Sequence, residues 1–219
     1  MKLKAIDLAL FITLIICIGA TVTFEKTCEG VREDILRLHV IANSDSQADQ
    51  ALKLKVRDSL LKSSKNLFTH CEDIISAEKA VGTSLLYLKQ TAQRAVYAGG
   101  YSYKVRVALG KSYFPTRVYD NITLPAGYYN ALKIIIGEGK GQNWWCVMFP
   151  SLCLPTACKK EDKLSEVLTE KEMRLVLSKP KYEVRFWLVE KYYDIKNRFT
   201  GSRREECSCS NRSPRHTRP

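Results

Sequence analysis

Gly99-Gly100-Tyr101-Ser102-Tyr103-Lys104-Val105-Arg106-Val107-Ala108-Leu109 is the stretch on which the fold class turns. The paired glycines stop what precedes them. After them Tyr101, Tyr103, Val105, Val107 and Leu109 alternate strictly with Ser102, Lys104, Arg106 and Ala108. Successive strand side chains point to opposite faces, so this two-residue period describes a half-buried strand. Downstream, residues 114–119 read as a short strand and Pro125-Ala126-Gly127 as a turn. Residues 128–136 read as a buried strand and 144–149 as its hairpin partner. Strands that follow one another this closely predict an antiparallel sheet.

Upstream of the glycines the period changes. Ile74, Val81, Leu85, Leu88, Ala92 and Ala95 recur at helical spacing, predicting a helix over 72–97 that Gly82 weakens. Ser46 and Asp49 stand at capping-box spacing and open an earlier helix. In it Ala48, Leu52, Val56 and Leu60 form one stripe while Leu54 and Leu61 lie nearly opposite, so two covered sides are expected. Before that cap, residues 35–42 read as a strand with Ile35, Arg37, His39 and Ile41 on one face. Toward the C-terminus, Thr169 and Glu172 repeat the capping signature. Tyr182, Phe186, Val189 and Tyr193 then keep a helical period. From Thr200 the chain is rich in Ser, Arg, Glu, Pro and Cys without periodicity, which predicts a disordered basic tail.

Residues 8–24 form one uncharged apolar run behind Lys2 and Lys4, with Asp7 on its near side. Its length just reaches the ~20 residues that cross a ~30 Å hydrocarbon core. Ile18-Gly19-Ala20 is a tolerable cleavage site, so a cleaved signal peptide and a retained anchor both fit. The lysines keep the N-terminus in the cytoplasm and put everything after Thr23 outside. Residues 25–32 are polar and read as a short spacer. The expected organisation is a signal peptide or anchor over 1–24, an extracytoplasmic α+β domain over 25–199 and a tail over 200–219. The fold class is α+β, an antiparallel sheet packed with helices and preceded by one N-terminal hydrophobic helix.

The formal charge of +12 and pI of about 9.3 suit an exported protein, because the polyanions outside the membrane are lipid head groups and wall polymers. Lysines and arginines are spread along the chain without the aromatic-interleaved stripe of a nucleic-acid groove, so no nucleic-acid partner is expected. Beyond Cys17, the cysteines Cys28, Cys71, Cys146, Cys153, Cys158, Cys207 and Cys209 are odd in number and cannot all pair within one chain. Cys146 and Cys153 bracket a loop containing Pro150, which turns the chain back and makes them the candidate disulfide. No Cys-x-x-Cys pair is present and Cys207-Ser208-Cys209 has the wrong spacing, so no metal site is expected.

Gly137-Glu138-Gly139-Lys140-Gly141-Gln142-Asn143 invites comparison with a phosphate cradle. It lacks the Gly-x-x-x-x-Gly-Lys-Ser/Thr order, and a tight connection with positive-φ positions accounts for its glycines. His39, Asn43, Asp45 and Asp49 gather at a strand end and helix start, where His39 satisfied by hydrogen bonds and a capping Asp45 or Ser46 is the structural reading. Cys146 with His39 would make a nucleophile and base only if they met in space. Trp144 and Trp145 point to opposite faces of a strand, so one is free for the recognition role typical of exposed tryptophan. No catalytic set, cofactor or small-molecule substrate is therefore expected. The expected partner-binding residues are His39, Asn43, Asp45, Asn143, Trp144 and Trp145. The alternative is an exported cell-wall or peptide hydrolase built on His39, Asp45 and Cys146.

Two blocks carry a resemblance. One is Leu36-Arg37-Leu38-His39-Val40-Ile41-Ala42-Asn43-Ser44-Asp45-Ser46 running on through Asp58, and the other runs from Gly137 through Asn143-Trp144-Trp145-Cys146 to Cys153. With Tyr182-Glu183-Val184-Arg185-Phe186-Trp187-Leu188-Val189-Glu190 they resemble the stage II sporulation protein R family of endospore-forming bacteria over residues 31–199. Only the arginine-rich tail departs from that pattern. The resemblance implies a signal made in the forespore and exported across its inner membrane into the space facing the mother cell. There it would activate a membrane-embedded aspartic protease, the receptor, which removes the pro-segment of pro-sigma-E.

Overall fold

The computed structural model describes residues 2–152 and 160–177, all within the unit Met1–Lys179. In chain order its elements are α1 (Lys2–Glu33), β1 (Leu36–Ile41), α2 (Gln47–Ser63), α3 (Ile74–Thr83), α4 (Leu85–Ala98), β2 (Val105–Phe114), β3 (Arg117–Tyr119), β4 (Ile122–Leu124), β5 (Gly127–Ile136), β6 (Asn143–Phe149), α5 (Lys160–Ser165) and α6 (Glu170–Leu177). The fold is α+β with an antiparallel-dominated sheet, helices and a leading apolar helix, as the sequence predicts.

The sheet order is β2-β5-β1-β6, and β3 with β4 makes a separate two-stranded ribbon. Here the hairpin expectation is corrected. β6 does not pair with β5; β1 lies between them, parallel to β5 and antiparallel to β6. All six residues of β1 are buried, because this central strand is covered on both faces. On one face Leu36, Leu38 and Val40 meet Leu52, Val56 and Leu60 of α2, Ala77 and Val81 of α3, and Leu88, Ala92 and Val96 of α4. Each buried leucine or valine among them contributes about 1.5–3 kcal/mol. On the other face Val31, Ile35, Phe114, Tyr129, Ala131 and Val147 form a second core with Ile122, Leu124, Leu164, Leu168 and Val176.

Ser46 caps α2 by accepting from the Asp49 amide at 3.2 Å. The expectation of two covered sides holds only in part for α2: Leu61 packs half-buried against the core, but Leu54 is 36% exposed, and Ala48 of the main stripe is exposed as well. The single helix expected over 72–97 is two, α3 capped by a reciprocal Asp73–Ser76 box and α4 starting after Ser84. The apolar stripe continues in phase across the break.

The apolar segment is helical and exposed along its length, with an 18-residue window of mean hydropathy 2.3 none of which is buried in the protein. It is long and apolar enough to cross a membrane. The polar residues that follow are not a spacer. α1 continues through them to Glu33 and buries Cys28 and Val31 in the domain. Arg32 Nη1 donates to the Ala126 carbonyl at 3.2 Å, and Gly30 lies against Glu172 of α6 so closely that a Cβ would be 3.0 Å from Glu172 Cδ. Glu172 is fixed there by Thr169, whose amide and hydroxyl donate to Oε2 at 2.8 and 2.6 Å. The helix expected around 182–193, the basic tail and Cys153 lie outside the described residues.

Candidate partner-binding site

To pass from β5 to β6 the chain crosses the end of β1, and the glycine-rich loop makes that crossing. Gly137 and Gly139 adopt φ of 58° and 69°, where side chains other than glycine are strained. Gly141 is required for a different reason: a Cβ there would sit 2.6 Å from the Ser44 carbonyl carbon and 2.9 Å from Ala42 Cβ. The loop is laced to residues 42–45. Gly141 N donates to Ala42 O at 3.0 Å and Lys140 N to Asn43 O at 3.1 Å. Glu138 N donates to Asn43 Oδ1 at 3.0 Å, and Gln142 N to Asp45 Oδ1 at 2.7 Å.

Beneath this lacing sits Asp49, buried at the start of α2. Burial raises its pKa, but hydrogen bonds from Ser44 (2.6 Å) and Asn43 (2.8 Å) outweigh that and hold the carboxyl below its usual range. Lys53, also buried, donates to Gln50 Oε1 at 2.5 Å and Gln142 O at 3.0 Å. The two sequence blocks thus form one rigid end of the sheet.

His39 stands opposite Trp145 in the β1–β6 register. Its Nε2 donates to Asn143 Oδ1 at 2.8 Å, and its ring stacks on Trp145 at 6.0 Å and packs against Phe114 at 5.7 Å. Burial pushes its pKa down; the Asn143 bond opposes this, and the charges of Lys133 and Arg37 add to the lowering. His39 is therefore neutral at pH 7 and holds Asn143 in place.

Trp144 and Trp145 point to opposite faces as expected, but both are half-buried and each carries an arginine. Arg57 lies 4.2 Å over the Trp144 ring and Arg117 4.1 Å over the Trp145 ring. Planar guanidinium stacking of this kind contributes about 0.5–2 kcal/mol. Asn143 and Asp45 are exposed, Asn43 is half-buried and His39 is only 8% exposed. Arg117, Tyr119, Gln142, Asn143, Trp144 and Trp145 line an open cleft of about 480 Å³.

Arg117, Tyr119 and Arg57 were not among the residues expected here. Nothing local in the sequence marks the first two, since they reach β6 through the β3–β4 ribbon. The proposed Cys146–His39 pair does not form. Cys146 is disulfide-bonded, 2% exposed and packed with Leu38 and Val40 in the helix-side core. His39 faces the opposite side of the sheet. Among the described residues no group of three or more His, Cys, Asp or Glu side chains is placed to hold a metal ion.

The sequence profile of stage II sporulation protein R matches residues 32–159. The chain is also 35% identical, over 188 residues, to stage II sporulation protein R of Bacillus subtilis strain 168, covering 75% of this chain and 83% of that protein. The chain belongs to the stage II sporulation protein R family. Membership implies a role in sporulation. No solved structure matches the chain. The family match contains the whole of β1, the loop over 137–142 and β6, so the laced end of the sheet falls inside the family region.

Proposed function

We propose that this protein is an exported sporulation signal that activates the membrane-embedded aspartic protease of the mother cell and so triggers processing of pro-sigma-E. Family membership carries this reading. The exposed apolar helix α1 supplies the route across the forespore inner membrane into the intermembrane space. Activation then needs a surface that binds the active, dimeric state of the protease more tightly than the inactive one, because a ligand shifts an equilibrium only by its differential affinity. The laced end of the sheet supplies that surface. Asp45, Asn143 and the edges of Trp144 and Trp145 meet the receptor, while buried His39 and half-buried Asn43 hold them in position. In this reading the protein is not itself the catalyst, and the engagement of Cys146, the nucleophile of the hydrolase alternative, in a disulfide supports it.

The test is co-expression of this chain, the protease and pro-sigma-E in a non-sporulating host. Processing is expected only when this chain is present with its leader. Alanine at Asp45, Asn143, Trp144 or Trp145 is expected to reduce processing in a chain that remains folded and exported. Normal processing by alanine variants at all six positions, His39 and Asn43 included, would place the receptor contact elsewhere. Processing by a chain lacking the leader would sink the export step.

A further inference from the structure

The walls and floor of the cleft beside β6 hold hydrogen-bond donors that have no acceptor. Arg37 Nε and Nη1, Arg117 Nε and the indole Nε1 atoms of Trp144 and Trp145 are buried without a partner. Arg37 is fully buried in mid-strand, 4.0 Å below the Phe114 ring and 4.8 Å from that of Tyr129. Among the described residues its side chain has one hydrogen bond, from Nη2 to the Tyr119 hydroxyl at 2.5 Å, and that hydroxyl donates to the Trp145 carbonyl at 3.3 Å. Among the described residues no ion pair includes Arg37, Arg117 or Lys133. Leaving a buried donor unmade costs about 1–3 kcal/mol, more for a charged group, and a cation kept from water without an anion costs several more. Such a site is complementary to an anionic acceptor.

We propose that the cleft binds a side-chain carboxylate of an acidic peptide segment, with the terminal nitrogens of the Arg117 guanidinium as donors and the field of buried Arg37 behind them. This rests on the reading that the same surface meets the receptor, and it names the chemistry of the receptor segment: an extracytoplasmic stretch bearing Asp or Glu. Peptide is favoured over a lipid or wall polymer by shape. Arg117, stacked on Trp145, lines a cleft together with Tyr119, Gln142 and Asn143 in place of a flat basic face. Arg117 is the specificity residue, because its fork donates to both carboxylate oxygens at once whereas lysine offers a point charge.

The probe is acetyl-tetraglutamate amide, titrated into the full chain in detergent and followed by tryptophan fluorescence, with the tetraglutamine peptide as its uncharged match. Saturable binding of the glutamate peptide alone is expected. Arg117→Gln should weaken it at least about tenfold and Arg117→Lys by a smaller factor, while Lys62→Gln on exposed α2 leaves it unchanged. Equal binding of both peptides, or equal loss in Lys62→Gln, overturns the proposal. So does binding of anionic phospholipid vesicles that Arg117→Gln abolishes when the peptide does not bind. The co-expression assay separates the two readings. If the wild-type chain drives processing and Arg117→Gln does so equally well, the carboxylate cleft fails while the receptor reading stands. If the wild-type chain drives none, the receptor reading fails and the peptide titration alone decides the cleft.

Discussion

Gly141→Ala tests whether the loop over 137–142 is a lock or a passive connection. The new Cβ would lie 2.6 Å from the Ser44 carbonyl carbon, closer still to its oxygen, and 2.9 Å from Ala42 Cβ. Ordinary contacts of this kind are about 3.5–4 Å, so the loop must withdraw by roughly an ångström. Both obstacles are fixed, Ala42 and Ser44 being held between the end of β1 and the capped start of α2. Withdrawal breaks Gly141 N to Ala42 O, Lys140 N to Asn43 O and Gln142 N to Asp45 Oδ1. At about 0.5–1.5 kcal/mol for each bond lost, the variant should be destabilised by about 2–4 kcal/mol. Urea unfolding followed by circular dichroism measures this directly. Because Asp45 and Asn143 lose their mutual placement, processing in the co-expression assay should also fall at temperatures where the variant is still folded. A loss below about 0.5 kcal/mol with full processing would show that the lacing does not organise this surface.

Gly30→Ala should destabilise the protein by a few kcal/mol, within the range of overpacked cores, since the Glu172 carboxylate in its way is pinned by Thr169; thermal unfolding reads this, and an unchanged midpoint would mean α1 and α6 are not in register as described. For His39 the sign follows from its depressed pKa. The unfolded chain takes up a proton near pH 6.5 that the folded chain refuses, so stability present at pH 7 and above is lost as pH falls from about 6.5 toward the folded value, with a slope approaching about 1.4 kcal/mol per pH unit. His39→Gln keeps a donor for Asn143 and should flatten that slope between pH 7 and 5; an unchanged slope would assign it to other groups.

Elements set by local chemistry were legible. Ser46 with Asp49, the stripe of Leu52, Val56 and Leu60, and the alternation of Val105, Val107 and Leu109 each specify their structure within a few residues. What failed was non-local. Trp144 to Phe149 follow β5 closely and read as its hairpin partner, but β1, which comes about ninety residues before β5 in the register, takes the position between them. Adjacency in sequence is only a prior on adjacency in a sheet. The burial of Arg37 and His39 was hidden for the same reason: their alternation reads as a polar face until a second layer covers it. Cys28 and Val31, three apart, do mark the inward side of the last turns of α1, but the charges around them mask that signal. The convergence of Asn43 and Asp45 with Asn143 follows from the topology, whereas Arg117 and Tyr119 carry no local signal at all.

In the proposed complex the laced end of the sheet is the face that touches the protease. A photocrosslinking amino acid placed at Asn143, exposed beside the cleft, should capture the protease's extracytoplasmic region in a sporulating cell. The same group at Ile75, 72% exposed on α3, should not. Capture from Ile75 with none from Asn143 would contradict it.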